Sequence, residues 1–219
     1  MKIRIDEELK EKCPNLVLGC IIANVKVTEY DEKLWKEINE ECLKFQGTME
    51  LKDVLQLENI KASRDGYKKL KKDPSKYRVS SESLVRRLVK GLDLYKVNTI
   101  VDINNLISLK SLNSVGTYDL EKIGEDICFT VGKPGETYEG IGRGSINLEN
   151  MPVFQDEKGK FGSATSDSIR AMITKDTKCI LMNIISFNGE KNLQDYISNS
   201  IDFLKKYAYG EILEVKVVK

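Results

Sequence analysis

Hydrophobic residues recur every three or four positions through the first half of the chain, which places them on one face of a helix. This spacing predicts helices over 29–45 and 50–72. Another helix is predicted after Ser80 or Ser81, because serine is a common N-cap residue. Asn98 caps a further predicted helix that continues to about residue 109. The pattern therefore predicts a mainly helical first half.

The second half of the chain changes to strand-like patterns. Alternation over 127–131 predicts a strand that ends at the glycine- and proline-containing turn 132–135. Residues 179–187 are almost continuously apolar, as in a central strand covered on both faces. A last helix from about Lys191 is predicted to stop at Gly210 with a left-handed cap, and a closing strand follows it. These elements predict an α+β fold, and 219 residues fit one domain.

Composition excludes several classes of protein. Histidine is absent, which removes Ser-His-Asp and Cys-His catalysis and the commonest metal ligand. The five cysteines are widely spaced without a Cys-x-x-Cys pair, a pattern that predicts neither a disulfide framework nor a zinc site. The apolar stretch 16–25 is shorter than the ~20 residues of a membrane helix, and the N-terminus lacks the apolar centre of a signal peptide. We therefore expect a cytoplasmic protein with no metal, cofactor or membrane partner.

Positive charge is concentrated in one segment, although the net charge of the chain is only +1. Residues 61–90 include 11 lysines and arginines but only three acidic residues. Clustered cations suit the phosphates of a nucleic acid, and a solvated helical surface is the alternative interpretation. The candidate phosphate ligands in this segment are Lys68, Lys69, Lys72, Arg78, Arg86, Arg87 and Lys90.

Two polar segments could line a binding site. Residues 165–170 combine three hydroxyls, one carboxylate and one guanidinium, which could hold an ester, a phosphate or a ribose. A capped turn in which Arg170 pairs with Asp167 is the alternative. The glycine-rich run 140–145 lacks the ending of a Walker loop, so we interpret it as a turn between strands that could still line a pocket.

Three asparagines stand in apolar surroundings. Asn104 and Asn105 lie within the helix capped by Asn98, where asparagine is a mediocre helix former. Asn183 interrupts an apolar strand, and a buried amide without a partner costs about 1–3 kcal/mol. Each amide is either bonded within the protein or available to a ligand.

Short motifs in the middle of the chain, in their order and spacing, resemble the editing domain of the phenylalanyl-tRNA synthetase β-subunit, labelled B3/B4. Residues 101–106 (VDINNL) resemble its Val-Asp-Val/Ile-Thr-Asn-Tyr helix, and 115–120 (VGTYDL) resemble its Leu-His-Ala-Phe-Asp segment. Residues 135–140 (GETYEG) match its Gly-Glu-Thr and Leu-Asp-Gly pair. The loop 165–170 is similar to that of free-standing relatives, and the resemblance covers about 77–187.

This resemblance implies a three-layer α+β domain of the PheT/TilS-like type, an unusual β-sandwich flanked by helices. The domain would span 1–219, with a helical N-terminal part at about 29–72. The resemblance also implies a pocket that admits the aminoacylated 3′ end of tRNA and hydrolyses its ester with a positioned water and no metal. The implied pocket residues are Asn104, Asn105, Gly116, Thr117, Tyr118, Ser166, Asp167, Ser168, Arg170 and Asn183.

Two family positions differ in this chain. The family histidine falls on Gly116, and the family glutamate that recognises the tyrosine hydroxyl falls on Asn183. The resemblance therefore implies an aminoacyl-tRNA deacylase that acts in trans and prefers an amino acid other than tyrosine, with tRNA contacting 61–90. A non-catalytic RNA- or tRNA-binding module is one alternative. A protein that binds an amino acid or a small ester in the same pocket is another.

Overall fold

Two four-stranded β-sheets lie face to face. Helices cover the other face of one of them, which is therefore the middle layer and is called the inner sheet below. The computed structural model describes residues 1–219. The strands in chain order are β1 (Lys2–Ile5), β2 (Val17–Asn24), β3 (Ser114–Asp119), β4 (Asp126–Val131), β5 (Thr137–Gly140), β6 (Gly144–Asn147), β7 (Pro152–Asp156), β8 (Gly159–Ser163), β9 (Cys179–Ser186) and β10 (Glu211–Val218). The α-helices are α1 (Glu7–Lys12), α2 (Glu32–Cys42), α3 (Glu58–Lys69), α4 (Ser80–Val89), α5 (Thr99–Ser111) and α6 (Leu193–Ala208).

The inner sheet has the strand order β10-β2-β9-β3, and all its pairings are antiparallel. The outer sheet has the order β1-β4-β7-β8, with β1 parallel to β4. Strands β5 and β6 form a separate hairpin. The nearly continuous apolar run predicted as a central strand is confirmed, because β9 lies between β2 and β3 and is covered on both faces.

Alternate side chains of the inner sheet enter two different cores. On β9, Ile180, Met182 and Ile184 pack against α2, α4, α5 and α6 in the helical core. Leu181 and Ile185 point the other way, into the inter-sheet core between the two sheets. This alternation follows from the two-residue period of a strand. The result is the three-layer α+β arrangement that the resemblance implied.

One of the three helix ends predicted from the sequence is confirmed, and the other two differ in the structure. Asn98 caps α5 as predicted, with its Oδ1 accepting the Ile100 and Val101 amides. The predicted serine cap of α4 is wrong. The amides of Ser80 and Ser81 instead donate to the Ala164 carbonyl and the Ser114 hydroxyl, which are remote in sequence.

The end of α6 also differs from the prediction. Tyr209, rather than Gly210, adopts the left-handed conformation, with a φ of 51°. Gly210 is needed for space, because a Cβ there would lie 2.8 Å from the Leu204 backbone carbon. None of the helices has the length and apolar character that would let it cross a membrane.

Candidate functional site

A cavity of about 280 Å³ lies where α4, α5 and β3 meet the β5–β6 turn and the segment 163–173. Strand β3 is an edge strand of the inner sheet, so the cavity is lined both by residues of the helical layer and by residues at the end of the outer-sheet strand β8. The apolar wall consists of Val97, Val101, Val115, Ile141, Met172 and Ile173. The polar wall consists of Ser80, Asn104, Asn105, Ser108, Thr117, Ser163, Ser166 and Asp167. No lysine or arginine lines the cavity.

Helix α5 presents two adjacent amides to the cavity. The Thr117 hydroxyl donates to Asn104 Oδ1 at 2.7 Å, which fixes the orientation of that amide. Asn105 also lines the cavity, and its side chain makes no hydrogen bond to the protein. Two asparagines in mid-helix are thus explained by their position at the cavity wall, where Asn105 can still bind a ligand.

Asp167 provides the carboxylate of the cavity. Its Oδ1 accepts hydrogen bonds from the Tyr118 hydroxyl at 2.8 Å and from the Ser163 amide at 3.3 Å. Burial disfavours the charged form and raises the pKa of Asp167 to about 7, although these two hydrogen bonds act in the opposite direction. This carboxyl therefore titrates close to neutral pH.

Ser163 organises the loop that carries Asp167. Its hydroxyl oxygen accepts from the amides of Thr165 and Ser166, and its hydroxyl group donates to the Ser166 carbonyl. The sequence analysis did not name Ser163, although a serine two or three residues before a hydroxyl-rich run is a signal for such a turn. The buried Tyr138 holds the loop from the inter-sheet core, because its hydroxyl lies 2.5 Å from the Ser166 carbonyl oxygen and 3.2 Å from Ser163 Oγ.

Gly116 and Tyr118 support the cavity without lining it. Both point into the inter-sheet core, and the fully buried Tyr118 ring reaches Asp167 from that side. A Cβ at Gly116 would lie 2.5 Å from the Tyr118 hydroxyl. The Tyr118 side chain therefore occupies the space into which a larger residue at 116, such as the histidine of the family, would project.

Asn183 does not belong to the cavity, and the expectation that it meets Asn105 there is wrong. Thr117 pairs with Met182 in the β3–β9 register, while Asn183 pairs with Gly116. Thr117 and Asn183 consequently face opposite sides of the inner sheet. Asn183 is fully buried in the inter-sheet layer, and neither of its polar atoms has a protein partner. An amino-acid preference inferred from Asn183 therefore has no geometric basis.

Arg170 and Ser168 lie outside the cavity as well. Arg170 makes a bidentate ion pair with Asp156 at 2.9 Å and donates to the Lys122 and Gly159 carbonyls. The alternative pairing with Asp167 is also wrong. The Arg170 guanidinium lowers the pKa of Asp156 in spite of the burial of that carboxyl. Ser168 is buried, and its hydroxyl has no protein partner.

Part of the cationic segment 61–90 is used within the protein. Lys72 is buried, and its ammonium donates to the Asn147 and Glu149 carbonyls, which excludes it as a phosphate ligand. The buried Glu82 carboxylate gathers three arginines of this segment at 2.9–3.9 Å. These arginines are Arg64, Arg78 and Arg86.

Other candidate phosphate ligands remain available. Lys69 and Lys90 are exposed and form no ion pair, whereas the exposed Lys68 pairs with Asp65. Arg87 stacks over the Tyr95 ring at 4.0 Å, and Tyr95 is 69% exposed. The cationic segment thus combines a structural part around Glu82 with an exposed part.

An exposed aromatic and cationic surface continues to the mouth of the cavity. Lys96 lies over the rings of Tyr30 and Trp35. The next residue, Val97, is 54% exposed and lines the cavity. Arg143 is also exposed, in the β5–β6 turn two residues after the cavity residue Ile141.

Comparison with known proteins identifies one family. A model described as the B3/4 domain matches residues 62–201. No curated protein matches the chain. One similar solved structure is an N-terminal fragment of the phenylalanyl-tRNA synthetase β-subunit from Pyrococcus horikoshii, with 14% identity and a TM-score of 0.46. The match covers 99% of this chain and 50% of that structure, so the chain spans half its length.

Proposed function

The chain belongs to the B3/4 domain family, and on that premise we propose that it binds aminoacylated tRNA and hydrolyses the ester of mischarged tRNA in trans. The ester-bearing 3′ end would enter the cavity between α5, β3 and the loop around Asp167. Water would be the nucleophile. The remainder of the tRNA would lie along the exposed aromatic and cationic surface beside the cavity.

The charge of the cavity wall is the observation that carries this proposal. A free amino acid or a phosphate ester presents an anion, and buried anions need a cationic partner. The cavity lacks lysine and arginine and contains one carboxylate. An aminoacyl ester suits such a wall, because esterification removes the carboxylate charge and leaves only the ammonium group. This supports an aminoacyl ester over a free amino acid as the ligand.

Chemistry in this cavity requires little beyond positioning. The aminoacyl ester of tRNA is an activated bond, and holding the reactants in the right geometry can supply ~7–11 kcal/mol of the barrier. The free amide of Asn105 can bond the ester or a ribose hydroxyl from α5. The ordered pair Asn104–Thr117 keeps the adjacent wall rigid.

The surface beside the cavity supports RNA as the partner. Exposed aromatic rings with nearby cations suit single-stranded nucleic acid, because bases stack on the rings and phosphates attract the cations. Tyr95 with Arg87 and Tyr30 with Lys96 have this character. Since Lys96 precedes the cavity residue Val97, the unpaired 3′ end of tRNA could follow this surface into the cavity.

The direct test is a deacylation survey with a panel of mischarged tRNAs carrying radiolabelled amino acids. We expect selective release of one or a few amino acids by the wild-type protein. Asn105→Ala should slow release at least about tenfold, which corresponds to the loss of roughly 1.4 kcal/mol in the transition state. Asn199→Ala is the matched control, because Asn199 is exposed on α6 away from the cavity and from Tyr30 and Lys96.

The alternative functions give different results in the same survey. Tight tRNA binding with background hydrolysis of every substrate would replace the deacylase with a binding module. Competition by free amino acids, with no effect of tRNA, would support a small-molecule binding protein instead.

A further inference from the structure

Asp167 is the one titratable side chain in the wall of the cavity. Its two carboxylate oxygens have different environments. Oδ1 is held by Tyr118 and by the Ser163 amide. Oδ2 accepts no hydrogen bond from the protein, yet it is not enclosed, so it stays accessible on the cavity side. One oxygen therefore anchors the carboxylate, and the other is free to act.

We propose that Asp167 is the general base of the deacylation, with Oδ2 taking a proton from the water that attacks the ester carbonyl. This inference rests on the proposed function and adds a chemical role to one residue of the same site. Tyr118 is the corresponding positioning residue, since its hydroxyl holds Oδ1 and thereby directs Oδ2.

The proton and the bonds balance without a further reactant. As the water oxygen bonds to the carbonyl carbon, one of its protons moves to Oδ2. When the tetrahedral intermediate breaks its bond to the ribose oxygen, the protonated Asp167 returns that proton to the departing oxygen. The products are the free amino acid and the tRNA hydroxyl, and Asp167 is again a carboxylate.

The surroundings of Asp167 suit this role. The titratable groups that face it are three phenols, Tyr118 from β3, Tyr138 from β5 and Tyr67 from α3. No lysine or arginine bonds the carboxylate, so burial dominates and raises the pKa of Asp167 to about 7. A general base is most effective when its pKa is near the operating pH. The site would therefore contain a usable base although the chain has no histidine.

The test compares Asp167→Asn with Asp176→Asn on the tRNA that wild type deacylates fastest. Asparagine can still accept from Tyr118 and Ser163, so the loop geometry is retained. Loss of a general base should lower kcat by about 10²-fold or more with little change in KM. Asp176→Asn makes the same chemical change at an exposed position, where the carboxylate has no hydrogen bond, and should leave the rate unchanged.

A substrate without an ammonium group separates the base from a binding role. If Asp167 only bound the substrate ammonium, Asp167→Asn would raise KM for aminoacyl-tRNA and would have no effect on N-acetyl-aminoacyl-tRNA. For a general base, the loss in kcat persists with the N-acetyl substrate.

Tyr118→Phe provides a second readout. The Tyr118 hydroxyl lowers the pKa of Asp167 by donating to it, so its removal should raise that pKa. The acidic limb of the kcat–pH profile should then move to higher pH, which a purely structural role of Tyr118 would not produce. An unmoved limb would overturn the assignment of Asp167.

The two proposals fail in different ways. If wild type releases amino acids and Asp167→Asn releases them at the same rate, the general base is wrong and the deacylase remains. If wild type releases none from the whole panel, both proposals are overturned.

Discussion

Asn183 is a fully buried polar residue on β9, and neither polar atom of its side chain has a hydrogen-bond partner in the protein. A buried polar group without a partner costs about 1–3 kcal/mol, so Asn183→Val should raise the free energy of unfolding by roughly 1 kcal/mol. Urea denaturation measures the change. Ile184→Val, its neighbour facing the helical core, should instead lose about 0.5–1.5 kcal/mol. Destabilisation by Asn183→Val would mean that an internal water bonds the amide.

Asp167 should make stability depend on pH. Its pKa of about 7 in the folded protein lies above the ordinary carboxyl value. The folded state therefore binds the proton more tightly, so the stability is fully present at low pH and is lost as pH rises through about 7. Asp167→Asn should exceed wild type in free energy of unfolding at about pH 8, by on the order of 4 kcal/mol. The difference should disappear near about pH 4.

The exposed Asp176→Asn serves as the control in these denaturation series and should match wild type at both pH values. A difference between wild type and Asp167→Asn that is independent of pH would contradict the raised pKa.

At the scale of elements, some cations of α3, α4 and the segment between them form contacts within the protein, and others are exposed on its surface. Arg86 belongs to the arginine cluster around the buried Glu82, so a variant that removes Arg86 would disturb folding as well as any tRNA contact. Lys69 and Lys90 are exposed and free of ion pairs, and they separate the two effects. They are therefore the better probes of the cationic segment.

We expect the double variant Lys69→Ala/Lys90→Ala to weaken tRNA binding and to reduce the slope of log K against log salt by roughly two, because each phosphate contact releases a counterion. Gel-shift titrations at several salt concentrations measure the slope. Lys158→Ala/Lys205→Ala removes the same charge from the β7–β8 turn and α6, where both lysines are exposed, and should leave the slope unchanged. Equal slopes in all three proteins would assign the segment to a solvated helical surface.

At the scale of the whole molecule, Tyr118 joins the two sheets to the cavity. Its ring packs edge-on against Phe154 and Phe161 of the outer sheet, while its own strand belongs to the inner sheet. Gly116 and Gly162 both leave room for the hydroxyl, because a Cβ at either position would lie within 2.5 Å of it. Inter-sheet packing and the position of Asp167 are consequently coupled through one side chain.

This coupling predicts a double-mutant cycle. Gly116→Ala forces a Cβ against the Tyr118 hydroxyl and should lower the free energy of unfolding by about 1–3 kcal/mol. Tyr118→Phe removes the atom that is met first, so the double variant should lose less than the sum of the two single variants. Thermal and urea unfolding of the four proteins measure the interaction. Additive losses would show that the hydroxyl does not define the space at Gly116.

Local features of the fold could be predicted because they depend on residues close in sequence. The Asn98 cap involves amides two and three positions away, and the central strand follows from one continuous apolar run. Two of the predicted residues that line the cavity, Asn104 and Asn105, had the same origin, since they were conspicuous within a single helix. The resemblance, which rests on the order of motifs along the chain, implied that Thr117, Ser166 and Asp167 would share a pocket with these asparagines. All five residues line the cavity.

Only the tertiary structure decided the partners and the direction of the remaining side chains. The pairing of Thr117 with Met182 turns Asn183 to the opposite face of the inner sheet. Arg170 finds Asp156 on β7, and Lys72 finds carbonyls of 147 and 149, contacts that no local pattern specifies. The physical reason is that period and capping are set within about one helical turn, whereas burial, charge pairing and the pKa of Asp167 depend on which distant strands and loops pack around each group.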